Sequence, residues 1–147
     1  MKSILLSVMA LVSVASACPL PEKAALLASN TVVAKYVGCQ DIPCRFMTAD
    51  CPDRCDHARR VALLQVISNE SYTRMSEYGD AKSEAQSMLM VDVTADVPGQ
   101  PKAVLEQVRN LKDGELVRLT MCHYYAEIDN AHMPIRPVVQ LESLQGE

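Results

Sequence analysis

The spacing of apolar positions changes several times along this chain, and each change marks an element. Ile4 to Val14 is a continuous apolar run broken only by Ser7 and Ser13. Lys23 to Tyr36 opens with helix-forming Ala and Leu and closes with β-branched Thr and Val, which predicts a short helix running into a strand. Arg60 to Ser68 is apolar on both faces and rich in Val and Ile, as in a strand buried on both sides. Asn69 to Gln86 is polar, carries a Gly79-Asp80 turn, and predicts a long excursion. Met88 to Thr94 alternates, placing Leu89, Val91 and Val93 on one face and Asp92 and Thr94 on the other. Beyond the turn at Pro98-Gly99-Gln100-Pro101, Val104, Leu105, Val108 and Leu111 recur at helical spacing until Asp113-Gly114. Glu115 to Ile128 alternates again, with Val117, Leu119, Met121, His123 and Tyr125 opposite Arg118, Thr120, Cys122 and Tyr124. Pro134 to Leu144 supplies a last strand through Val138 and Val139.

These elements predict a mainly β fold with one helix. The order strand, long excursion, strand, helix, two strands, with Leu111, Gly114, Val117 and Leu119 at the entry to the penultimate strand, resembles an OB-type small barrel over residues 58 to 144. The expected organisation is a leader over 1–17, a tether and cysteine-rich segment over 18–57, and the OB-like domain over 58–147. With 147 residues, 49% of them hydrophobic and 22% charged, the chain has material for one core.

The first apolar run is too short to span a bilayer. It follows a single Lys2 and ends in Ala15-Ser16-Ala17, the small residues that a signal peptidase requires, with Cys18 immediately after. Two processing routes share that scissile bond. One is ordinary signal cleavage; the other is lipoprotein maturation with an acyl chain on Cys18, because Ala15-Ser16-Ala17-Cys18 resembles a relaxed bacterial lipobox. Either route places the protein outside the cytoplasm, in the periplasm or on the outer membrane, where disulfides persist. A lipid on Cys18 would be its one tie to a membrane. The formal net charge is −4 with the leader attached. An acidic chain with scattered Lys and Arg is a poor partner for phosphate backbones, so nucleic acid is not expected. The expected partner is an envelope protein or a small ligand.

Candidate chemistry concentrates between Cys39 and His57. Cys39, Cys44, Cys51 and Cys55, followed by His57, offer thiolates and an imidazole that suit zinc or copper. In an exported chain the first reading of those four cysteines is two disulfides, with three possible connectivities. Asp50 and Pro52 favour a helical turn that would set Cys51 and Cys55 on one face, their Cβ atoms about 5–6 Å apart. A relaxed disulfide needs about 3.8 Å, so this pair suits a metal, a labile redox couple, or bonds outward to Cys39 and Cys44. Cys122 and His123 are strand neighbours on opposite faces and cannot serve one metal without a bulge. His123 reads as a hydrogen-bonded histidine of the core or barrel rim, and Cys122 as a free thiol or a cross-link between copies. His132 reads as solvated. Met47, Met88, Met90, Met121 and Met133 are thioether donors in principle and core filler by habit.

The run Cys51-Pro52-Asp53-Arg54-Cys55 resembles the copper loop of Sco-type copper chaperones. That resemblance implies Cys51 and Cys55 as metal ligands, with His123 or His57 as the third. The chain departs from that family in having Asp56 where a Pro follows the second Cys, and in ending before a full thioredoxin domain. The runs Cys51 to His57, Tyr78 to Asp80, His123 to Tyr125 and Arg136 to Val138 also resemble a group of secreted bacterial proteins that lends no activity. No G-x-S-x-G, H-E-x-x-H, P-loop or dinucleotide-binding fingerprint stands in the sequence. The function expected is therefore that of a non-enzymatic binding or envelope-structural module, with copper or zinc binding as its alternative and thiol-disulfide exchange as a third.

Overall fold

A computed structural model describes residues 18–44, 49, 58–94 and 96–144. Six strands and one helix follow in the order β1 (Ala24–Ile42), β2 (Arg59–Arg74), β3 (Met88–Asp92), α1 (Lys102–Arg109), β4 (Leu116–Ile128), β5 (Ala131–Ile135) and β6 (Val138–Ser143). The strands form one antiparallel sheet in the order β3-β2-β1-β4-β5, with β6 also paired to β4. The fold is mainly β with one helix, as the pattern predicts. The sheet is open, with the helix between β3 and β4, an arrangement compatible with the OB-like barrel that the pattern predicts. Among the described residues, no helix is long and apolar enough to cross a membrane.

The largest departure from expectation is β1. Residues 24–42 are neither tether nor helix but the central strand, paired to β2 on one edge and β4 on the other. The sheet therefore begins at residue 24 rather than 58. The physical reason lies in the inward positions of β1, where Ala28, Asn30, Val32, Ala34 and Tyr36 are buried in strict alternation. Those residues are small or polar as often as apolar, so hydrophobicity alone does not mark the face. Helix propensity at Ala24 to Leu27 is worth only tenths of a kcal/mol per residue, and pairing along both edges overrides it. Similarly, β2 continues through the polar run to Arg74, because its outer residues need only a partner strand and solvent.

The main core joins Val32, Ala34 and Tyr36 of β1, Leu64 and Val66 of β2, Val91 of β3, Val117 and Leu119 of β4, and Val104, Leu105 and Val108 of α1. The helix ends at Asn110, and Arg109 in its last turn donates to the Val93 carbonyl from both Nε (3.0 Å) and Nη2 (2.9 Å). β4 and β5 are joined by Asp129-Asn130, both at positive φ (51° and 61°), the geometry a tight two-residue hairpin requires. Arg136-Pro137 then separates β5 from β6, so the single last strand expected over 134–144 is two shorter ones along one edge of β4.

β4 buries opposite faces at its two ends. Val117 and Leu119 enter the main core, whereas Cys122, Tyr124 and Ala126 enter a second cluster with Cys18, Ile135 and Val139. The segment ahead of β1 covers that second cluster: Cys18 is bonded to Cys122, and the Tyr124 hydroxyl donates to the Pro19 carbonyl. Cys122 is therefore neither a free thiol nor a link between copies.

The Cys18–Cys122 bond spans 104 residues of sequence. Closing so long a loop restricts the unfolded chain by about 4–5 kcal/mol in the chain-entropy account. Replacing both residues by Ala should lower unfolding stability by a few kcal/mol in urea titration. Reductant should bring the natural chain most of the way to that variant.

Candidate functional site

The site is built on a defect in the β1–β4 ladder. Leu26 pairs with Tyr124 and Ala28 with His123, leaving Leu27 as a bulged residue with no partner on β4. Its carbonyl turns instead to the excursion after β2, accepting the amides of Met75 (2.8 Å) and Ser76 (3.3 Å). The turn that follows closes with the Gly79 amide on the Ser76 carbonyl at 3.0 Å. A Cβ on Gly79 would lie 2.3 Å from the Leu27 oxygen, so only glycine lets this turn seat against the bulge.

Seating the turn brings Asp80 onto β4. Its amide donates to Nδ1 of His123 at 3.1 Å, and its carboxylate takes two bonds from Arg136, Nε at 2.6 Å and Nη2 at 2.9 Å. Tyr72 donates its hydroxyl to the Asp80 carbonyl at 2.7 Å. Arg136 stands between β5 and β6 along the same edge of β4. Three sequence runs thereby meet: Tyr78 to Asp80, His123 to Tyr125, and Arg136 to Val138.

His123 is 6% exposed, as expected of a core or rim histidine. Burial pushes its pKa below the ordinary imidazole value, the Asp80 carboxylate 3.4 Å from Nδ1 pulls the other way, and Arg136 adds to the lowering. The neutral ring therefore prevails at neutral pH. Because Nδ1 accepts from a backbone amide, the proton of that neutral ring sits on Nε2. Among the described residues Nε2 has no hydrogen-bond partner, and it is shut off from solvent. A buried donor left unmatched costs about 1–3 kcal/mol.

Two cavities share His123 and Arg136 in their walls. The smaller, about 270 Å³, continues the barrel interior past Asn30, Asp80, Leu89 and Met121. The larger, about 620 Å³, is lined by Ala25, Leu27, Tyr78, Tyr125 and Pro134 besides the two shared residues. Tyr78 is 75% exposed, and Tyr125 stacks on His132 with ring centroids 5.6 Å apart. On the smaller cavity Asn30 is held by a polar cluster. In the amide orientation that satisfies both ends it donates to the Ser71 carbonyl at 3.0 Å and accepts from the Ser83 amide and hydroxyl at 3.0 and 2.6 Å.

The other sequence-derived candidates fall elsewhere. Cys51, Cys55 and His57 lie outside the described residues. Cys39, expected in a disulfide or a metal site, is an exposed thiol whose Sγ lies 3.1 Å from the Tyr36 hydroxyl. Burial first, and then that contact, push the Tyr36 pKa up to about 12. Cys44 is half-buried beyond the end of β1. His123 pairs with Ala28, and Cys39 stands eleven residues further along the same strand, so the two occupy opposite ends of the sheet. With one ring nitrogen accepting from Asp80 and the other protonated, His123 has no lone pair to offer a metal in this arrangement. Among the described residues no three His, Cys, Asp or Glu side chains are grouped to hold one. Cys18, considered for lipidation, holds Cys122 through the sulfur that a thioether lipid would need.

No protein-family model, curated protein or solved structure matches this chain.

The His123 shift has a definite consequence for stability. A folded pKa below the unfolded value of about 6.5 means that the unfolded chain binds the proton more readily, so stability falls as pH drops below about 6.5. Asp80, held down chiefly by its hydrogen bonds to Arg136, adds a separate loss only as pH falls through the carboxylate range near 4. His123→Asn keeps an acceptor for the Asp80 amide but cannot titrate. Urea unfolding between pH 7 and pH 5 should show a downward slope in the natural chain that is distinctly flatter in this variant. Equal slopes would remove His123 from the acid response.

Proposed function

We propose that this chain is exported and works as a binding module of the cell envelope, taking a small ligand at the His123 end of its sheet. The observation that carries this reading is the larger cavity, lined by Leu27, Tyr78, Tyr125 and Pro134 with the Arg136 guanidinium in its wall. A convergent polar group in an otherwise apolar hollow is the usual form of a ligand pocket, and the larger cavity falls in the usual size range. The lone pair of the imidazole is committed to the Asp80 amide. The ring is thus a fixed part of the wall rather than a base, which favours binding over proton-transfer chemistry.

Export is supported by the leader pattern together with the Cys18–Cys122 bond, since such bonds persist in oxidising compartments. The same bond favours simple cleavage after Ala17 over lipoprotein processing, because one sulfur cannot hold both Cys122 and a lipid. The mass of the protein extracted from an envelope fraction without reductant should correspond to a chain starting at Cys18, with no acyl group and with hydrogens lost to at least one disulfide. An acylated Cys18 would refute that half of the proposal.

The binding half is tested by amide-resolved NMR with four small probes of different chemistry: benzoate, benzamide, benzylamine and acetate. At least one should shift the amides of Leu27, Asp80, His123 and Tyr125 together, saturably. Failure of all four to move those amides at millimolar concentration would overturn the site.

A further inference from the structure

We infer that the larger cavity takes a small organic acid, its carboxylate held by Nη1 of Arg136, its apolar or aromatic body lying against Leu27, Tyr78, Tyr125 and Pro134. This rests on the binding reading above and names the ligand class for that site. The first ground is the chemistry of the lining. The described wall of the larger cavity carries the Arg136 guanidinium and the hydroxyls of Tyr78 and Tyr125, and no carboxylate. Asp80 lines only the smaller cavity. A cavity of donors selects a ligand of acceptors, and its Ala25, Leu27 and Pro134 surfaces select an apolar body.

The second ground is a comparison within the molecule. Arg118 on β4 gives Nε (2.7 Å) and Nη2 (3.1 Å) to Glu70, and with Nη1 it holds a second carboxylate, Glu142, at 2.8 Å. Arg136 spends the same two nitrogens on Asp80. Its Nη1 has no partner among the described residues. The guanidinium fork has five N–H groups, and one carboxylate leaves enough of them for another. What Glu142 is to Arg118, a ligand carboxylate would be to Arg136. Asp80 is then the residue that aims the guanidinium, not a competitor that exhausts it.

Phenylpropionate, phenylpropionamide and phenylpropylamine share a body and differ in the head, and so separate the site from its selectivity. In NMR titration of the natural chain the acid should bind about tenfold tighter than the amide, the factor expected of one charge-assisted hydrogen bond, and the amine weakest of all. Arg136→Lys keeps the charge beside Asp80 but loses the fork, and should bring acid and amide within about threefold of each other. Tyr78→Ala, at a 75% exposed position where truncation leaves the fold intact, should weaken all three probes severalfold while the acid keeps its preference. If acid and amide bind alike at the His123 amides, the head-group assignment is wrong and the binding site stands. If no probe moves those amides, the site itself is wrong. An unchanged acid preference in Arg136→Lys would remove Arg136 from recognition.

Discussion

One unpaired backbone carbonyl organises the functional end of this molecule. At Leu27 the β1–β4 ladder skips a residue, and the carbonyl so released cannot be left without a donor in a partly buried place. Its satisfaction by Met75 and Ser76 ties the excursion after β2 to the opposite side of β1. From that tie follow the need for glycine at 79, the approach of the Asp80 amide to His123, and the bidentate bond that fixes Arg136. A regular ladder at Leu27 would leave the excursion unanchored and the imidazole without a set tautomer. The bulge thus sits upstream of the chemistry, and its own residue, Leu27, lines the larger cavity.

The opposite flank of β4 shows a different solution to exposure. A strand buried on one face at Val117 and Leu119 and on the other at Cys122, Tyr124 and Ala126 needs a cover on each side. The helix and main sheet provide the first cover. Residues ahead of β1 provide the second, too few to form a core of their own, and the Cys18–Cys122 bond with the Tyr124–Pro19 contact holds them in place. The two burials meet between Leu119 and Cys122. The disulfide therefore steadies the strand position next to the imidazole.

Much of the fold was legible in the sequence, and the failures share a cause. The strands at 88–92 and 116–128 and the helix at 102–109 carry clear periods of 2 or 3.6 in strongly apolar residues. The first part of β1 was read as helix, and its length was missed, because Ala28, Asn30 and Ala34 occupy inward positions without hydrophobic contrast to Ser29, Thr31 and Lys35. The end of β2 was missed because Asn69 to Arg74 are polar, although Asn69 lies beside the buried Asn30. Pairing with β1 makes both segments strands, and pairing is a property of distant partners. Of the site, the burial of His123 and the turn at Gly79-Asp80 could be read locally. Their meeting could not, since it depends on a bulge at Leu27, and no residue type there announces one. The pairing of Cys18 with Cys122 was hidden for a related reason: the dense cysteines at 39–55 drew the eye, while the bond joins the two most distant cysteines of the chain.

The tautomer of His123 bears on the metal role that the Sco-type resemblance implied for it. A copper or zinc ligand needs a bare nitrogen facing the metal, with the other nitrogen donating to a second-shell acceptor. Here the backbone of Asp80 donates inward to Nδ1, the reverse polarity, and the carboxylate that could have accepted from the ring is turned to Arg136. To bind a metal, the ring would have to move its proton to Nδ1 and give up the Asp80 amide. That would loosen the turn which the Leu27 carbonyl and Gly79 hold in place. The backbone of the excursion, by choosing which ring nitrogen carries the proton, works against a cation at this end of the sheet.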